Sequence, residues 1–421
     1  MAVTRSCCYR LAEPERKLPL PMNRVRFAFL SVGHAYDHLF MLLFPTVVLT
    51  LEAQFDLSYD QWMLMSTPAF VAFAAGAVPA GWLGDRWSRS GMMAIFFVGI
   101  GGAAILTSFA RTPAEISGGL VLIGLFASIY HPVGIAMLVQ GQKKVGRLLG
   151  INGVAGNFGI ALAAFVAASL GNLISWRAAF YVPGAVSIAT GLIYIWVARG
   201  WPLADRIAGP KEHDIGAAFK SSTEVRQAIL RAVIILTVGA LLAGIVFQTS
   251  TISLPKLFEE RLGDFTASTI SVGGLVSLVV GIAAFAQIAS GFLVDRFSVK
   301  RVWIVTLLLQ VPLLIVVGMI SQTGLLIAAF VVLVIIFGEI PIQDALLARH
   351  TPEHLRSRVY GIKFAIALGA SAVAVLIIAA LHSAGGGFSW LYGLLAACAL
   401  VLGTAAFWLP DRPRHLEERN I

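Results

Sequence analysis

The chain has 421 residues, of which 58% are hydrophobic and 13% charged, about half the charged share of a soluble domain. Its net charge of +9 is spread between apolar runs and forms no basic domain, which excludes a nucleic-acid-binding surface as its origin. The three cysteines, Cys7, Cys8 and Cys398, exclude a disulfide framework.

Residues 1–25 read as a polar cytoplasmic tail. They lack the apolar core of a cleaved signal peptide, and Met22 offers an alternative start to Met1. Cys7 and Cys8 read either as an acylation pair or as part of an unstructured tail. Twelve apolar runs follow, at roughly 26–50, 61–83, 92–110, 117–139, 149–171, 178–199, 229–253, 268–293, 302–320, 324–347, 359–383 and 389–409. Most reach the ~20 residues that cross a bilayer as a helix, and none alternates as barrel strands do. A polar linker, 200–228, separates a six-helix half at 26–199 from a second at 229–409, and 410–421 forms a C-terminal tail. With the N-terminus inside, 26 of the 31 Lys and Arg fall in inner segments and 4 in outer loops. This bias predicts an all-α protein of a bacterial-type inner membrane, with both termini cytoplasmic.

The two halves repeat. Gly81-Trp82-Leu83-Gly84-Asp85-Arg86-Trp87-Ser88-Arg89 returns as Gly291-Phe292-Leu293-Val294-Asp295-Arg296-Phe297-Ser298-Val299-Lys300-Arg301. Pro45 and Pro255, Gly150-Ile151 and Gly361-Ile362, and Ser175-Trp176 and Ser389-Trp390 follow in the same order. Two repeats around an axis normal to the membrane are a transporter architecture. The duplicated loops resemble the signature G-x-L-x-D-R-x-G-R-K/R of the major facilitator superfamily, between helices 2 and 3 and helices 8 and 9. Ser88 and Ser90 depart from it in the first copy. Ser175-Trp176-Arg177-Ala178-Ala179-Phe180 resembles that family's entry to helix 6. A narrower resemblance, to the fosmidomycin-resistance branch, rests on His34-x-x-Asp37, on Tyr130-His131-Pro132 and on Gly156-Asn157-Phe158-Gly159-Ile160-Ala161-Leu162. It implies a proton-driven exporter. The branch continues with Gly-Pro where this chain has Ala163-Ala164.

Asp85, Arg86 and Arg89 with Gly81, and Asp295, Arg296 and Arg301 with Gly291, are expected to form a cytoplasmic gate. Their carboxylates suit helix N-termini and loop arginines; the alternative is a simple loop cap. A charge at mid-bilayer costs on the order of 3 kcal/mol or more, so the buried ionisable groups need a reason. Spacings of three and four place His34, Asp37 and His38 on one helical face, where they read as a proton-coupling or cavity site or as an interhelical hydrogen-bonded cluster. Their spacing also resembles that of metal ligands, but no metal site is assigned. His131, beside a proline bend, and Glu339, at its repeat-related position, join the proton-coupling set. Tyr130, Asn157, Gln248, Gln343 and Lys363 are possible substrate contacts. Asn157 and Gln248 read equally as interhelical glue, and Lys363 as a snorkelling cation. The glycines of the fifth run read as packing, Arg111 and Arg177 as structural, and His382 as solvated.

The expected function is secondary active transport of a small organic solute, by proton-coupled export or by proton-coupled uptake of a polar or anionic metabolite. A non-transporting receptor or scaffold is a remoter alternative. No G-x-x-x-x-G-K-[ST] nucleotide loop is present, and no convincing catalytic constellation marks an enzyme. The expected partners are the solute, protons and the lipid bilayer, with no cofactor and no nucleic acid, and the family implies a monomer.

Overall fold

A computed structural model describes residues 23–140, 146–201, 223–351 and 356–410. The expected tails, most of the linker, Cys7, Cys8 and Met22 lie outside these residues. The described residues are helical throughout, without strands. Twelve crossing segments are α1 (Arg24–Phe55), α2 (Tyr59–Arg86), α3 (Arg89–Ser108), α4 (Pro113–Val139), α5 (Gly146–Leu173), α6 (Ala178–Ala198), α7 (Thr223–Arg261), α8 (Thr269–Arg296), α9 (Val299–Met319), α10 (Gln322–His350), α11 (Arg356–Leu381) and α12 (Gly387–Ala405). Apolar helix is continuous enough that Ile362–Trp408 reads as one 47-residue span, far beyond a bilayer crossing. The chain folds back at His382–Gly386, where Gly385 and Gly387 take φ of 78° and 50°, a conformation open to glycine at little steric cost. This turn makes α11 and α12 separate crossings.

Local chemistry sets the helix starts. Asn23, Ser58, Ser88, Thr112 and Ser268 each accept a backbone N–H at a helix N-terminus, and Ser58 with Gln61 forms a reciprocal capping box. Ser88 accepts from Gly91 N at 2.9 Å, so the departure from the signature glycine supplies the cap of α3. Several helices overrun the apolar runs. In particular α7 begins at Thr223, inside the expected linker.

The principal helix pairs repeat six helices apart. α1 packs on α5 as α7 packs on α11; α3 packs on α6 as α9 packs on α12; α2 packs on α4 as α8 packs on α10. The halves meet along two seams, α5 against α8 and α2 against α11, which a two-fold operation exchanges. Large exposed side chains, including Trp82, Trp196, Phe292, Trp390 and Trp408, suit contact with lipid and its interface. The chain is an integral membrane protein.

The glycines of α5 serve close approach. A methyl group at Gly159 would overlap the carbonyl oxygen of Ala35 on α1, whereas one at Gly291 on α8 meets nothing within 4 Å. Gly159→Ala is expected to destabilise by about 1–3 kcal/mol, as overpacking does. Gly291→Ala is expected to be neutral or to gain up to ~1 kcal/mol of helix propensity. Apparent melting temperatures in one detergent check the contrast.

Candidate functional site

The face predicted on α1 is assembled by α4 and α5 into a four-residue polar cluster. Pro132 has no N–H to give, and the turn Tyr130–Gly134 widens to i→i+5 spacing, a local form frequent at functional sites. Here His131 Nε2 lies 3.1 Å from Asp37 Oδ2. On the other side, His34 Nδ1–H donates to the Asn152 carbonyl on α5 at 2.7 Å. In neutral His34 this leaves Nε2 as the bare nitrogen, and His38 Nε2 sits 3.2 Å from it.

The surrounding groups hold these rings in place. Tyr130 stacks on His34 with centroids 4.9 Å apart and planes at 17°, while its hydroxyl donates to Leu30 O at 2.8 Å. Asn152 Nδ2 donates to the same hydroxyl at 3.0 Å. A Cβ at Gly156 would lie 2.7 Å from the His34 ring, so glycine is what lets α5 accommodate it. From the second half, Phe364 on α11 approaches His131 with centroids 5.7 Å apart.

Asp37 is 0% exposed and His131 7%. The two stand at ion-pair distance, and no further hydrogen-bond partner reaches either group among the described residues, so each buried group depends on the other.

The second half builds a different site. Glu339, buried on α10, accepts from Trp303 Nε1 at 3.1 Å and from Gln310 Nε2 at 2.8 Å, both on α9. Gln343, one turn along, is buried and its Nε2 has no hydrogen-bond partner among the described residues. Lys363 is 9% exposed and ion-paired to Asp344, so its charge is taken up inside the half.

The family model of the Major Facilitator Superfamily matches residues 34–338 and again 257–420. The chain belongs to this superfamily. Its sequence is similar to the uncharacterized transporter YgaY of Escherichia coli O157:H7, at 29% identity over 154 residues, 36% of this chain and 38% of that protein. It is also similar to the inner membrane metabolite transport protein YgcS of Escherichia coli K12, at 28% over 155 residues, 36% and 35% of the two chains. The matched stretches thus span under two fifths of these curated relatives. Among solved structures, a bacterial homolog of the human lysosomal transporter Spinster, inward-facing and occupied, superposes with a TM-score of 0.70 at 16% identity, covering 91% of this chain and 95% of that one. A D-xylose-proton symporter gives 0.70 at 15%, covering 92% and 97%. At such identities these likenesses establish the major facilitator fold.

The two signature loops of this superfamily member differ. In the first, Arg89 donates to Asp85 Oδ1 from Nε at 3.1 Å and from Nη2 at 2.6 Å, a bond within the first half. Arg86 lies over Trp82 at 5.5 Å. Gly81 and Gly84 face Pro132 and Val133 of α4, with Gly84 leaving only 2.9 Å for a Cβ. In the second, Asp295, Arg296 and Arg301 are exposed, and no ion pair to them is present among the described residues.

At the opposite end of the bundle, charges tie the halves directly. Lys256 on α7 reaches Glu52 on α1 at 3.0 Å and Glu259 at 2.7 Å. His382, after α11, places Nδ1 2.6 Å from Asp60 on α2 and Nε2 2.9 Å from Glu260 on α7. The expectation of a solvated His382 is therefore corrected: its ring is held between the halves.

Tyr130 is fully buried and braces His34 and Asn152. Asn157 is buried with Nδ2 lacking a hydrogen-bond partner among the described residues, and Gln248 is half-buried on α7. Arg177 donates to Ala110 O at 2.9 Å, in keeping with a structural role. Sequence reasoning missed Asn152, Trp303, Gln310 and the Asp60–His382–Glu260 tie. The four-residue step from Asn152 to Gly156 was the available signal for the first; the others depend on helix neighbours.

Only the imidazolium of His382 donates at both nitrogens, so the neutral ring gives up one of the two bonds. The bond to Glu260, with the charges of Glu260 and Asp60, holds the His382 imidazolium above the ordinary histidine range, so spin labels placed across the Asp60–His382 end are expected to keep a short separation through that range and to report a longer, broader one as pH rises above it. His382→Gln is expected to remove this pH dependence.

Proposed function

We propose that the chain is a secondary active transporter that moves a small organic solute across a bacterial-type inner membrane by alternating access, exporting it in exchange for protons. One observation carries the reading: among the described residues each half buries one carboxylate, Asp37 and Glu339. A buried carboxylate needs a partner or a proton. Glu339 is held by two neutral donors and Asp37 faces His131, which supports the reading that both take and release protons as access alternates. His34, His38 and Gln343 add polar groups for a solute, with Asn157 and Gln248 as further contacts. Lys363 is reserved for Asp344 in this state.

The charge ties at the Asp60–His382 end close one side of the bundle, and the Asp85 and Asp295 loops supply the gate on the other. Breaking one set while making the other shifts the population between two access states, which a difference of a few kcal/mol accomplishes. The positive-inside bias assigns the signature loops to the cytoplasm. The direction of transport follows the resemblance to the fosmidomycin-resistance branch. Ala163 and Ala164, standing where that branch has Gly-Pro, are buried, Ala164 against Gly273 of α8, and this departure is what favours uptake as the second reading.

Reconstituted protein under an imposed proton gradient tests the proposal, with solutes drawn from compounds to which a deletion strain is hypersensitive. The expected result is solute movement opposite to the protons. Solute moving with them identifies a symporter and overturns export. Asp37→Asn and Glu339→Gln are each expected to abolish gradient-driven accumulation while solute exchange without a gradient persists; unchanged accumulation in both variants removes these carboxylates from the coupling.

A further inference from the structure

We propose that His34, His38 and His131, beside the carboxylate of Asp37, form a binding site for one divalent first-row transition-metal ion of the zinc type. This goes beyond the reading above, since the ion becomes a ligand of the transport site in its own right and its binding is measured without a gradient.

The donor set selects the ion class. Three imidazoles suit zinc, cobalt or nickel, whereas magnesium and calcium take oxygen ligands. No cysteine joins the cluster among the described residues, which disfavours the soft thiolate-seeking ions.

The spacing fits as well. Ligands about 2.0–2.1 Å from a tetrahedral ion stand about 3.3 Å from one another. His34 Nε2 and His38 Nε2 are 3.2 Å apart, and His131 Nε2 and Asp37 Oδ2 are 3.1 Å apart. One ligand nitrogen from each histidine lies within 4.8 Å of the other two, and coordination of one ion draws them together toward the tetrahedral spacing.

Orientation is already provided. A ligating histidine characteristically donates its other N–H to a carbonyl or carboxylate, which aims the free nitrogen at the metal. His34 Nδ1–H does this at the Asn152 carbonyl, Tyr130 stacks on the ring, and Gly156 gives it room. His131 Nε2 stands at ion-pair distance, 3.1 Å, from Asp37 Oδ2, while its Nδ1 has no hydrogen-bond partner among the described residues. A carboxylate beside three imidazoles supplies charge complementary to a cation.

The test uses the full chain, purified in detergent without a polyhistidine tag. Cobalt(II) is titrated in and its visible bands followed, then zinc is added in competition, and X-ray absorption at the zinc edge reports the donors. The expected result is one ion per chain, bands of tetrahedral cobalt, displacement by zinc, and imidazole donors without sulfur. His38→Gln and His131→Gln are each expected to weaken binding about tenfold or more, while Cys7→Ser/Cys8→Ser leaves it unchanged. Absence of wild-type binding up to about 1 mM overturns the proposal, as does sulfur in the zinc shell or binding that survives in the His34→Gln/His38→Gln/His131→Gln variant. The wild-type stoichiometry and absorption spectrum decide the matter even where a variant fails to fold. A protein that binds no metal yet still exchanges solute for protons defeats this inference and leaves the transport reading standing.

Discussion

The structure depends on how closely α5 approaches its neighbours. On one side Gly159 faces the backbone of Ala35 and Gly156 faces the His34 ring. On the other, the backbone at Ala164 faces Gly273 of α8, and Ser277 donates to the carbonyl of Ala161. Without an apolar driving force between helices in lipid, such contacts rest on small side chains and interhelical hydrogen bonds. α5 is therefore both the wall that orients His34, through Asn152, and one of the two seams between the halves. Motion of the halves along that seam acts on the same helix that holds the polar cluster.

The two halves share a scaffold but differ in chemistry. Helix pairs repeat six positions apart, and the seams exchange under the two-fold operation. The buried polar groups do not repeat. The first half gathers three imidazoles and a carboxylate from α1 and α4; the second holds one carboxylate between Trp303 and Gln310 and pairs its lysine with Asp344. Even the signature loops diverge: Asp85 is held by Arg89, while Asp295 is exposed. Duplication accounts for the bundle, and later divergence for the site.

Among the described residues, ionic contact between the halves is concentrated at the end of the bundle away from the signature loops. Glu52 and Asp60 of the first half meet Lys256 and His382 of the second. Glu260, 38% exposed, and Glu259, 32% exposed, keep this network near water, where ion pairs are individually weak. A tie of that strength suits a contact that forms and breaks readily.

The sequence by itself determined the twelve crossings, the duplication and the His34–Asp37–His38 face. Each of these is local: a hydrophobic run, a repeated motif, a spacing of three and four on one helix. It also marked His131 and Glu339, since ionisable groups inside apolar runs stand out. What it left open was the partner of each group. His131 joins the α1 cluster because α4 widens at Pro132 beside α1. Lys363 is held by Asp344 because α10 lies next to α11, and His382 is captured because α2 begins and α7 ends beside it. Those partners come from helices tens to hundreds of residues apart, so only the tertiary packing, set by where small residues let backbones meet, decided which polar groups share a site.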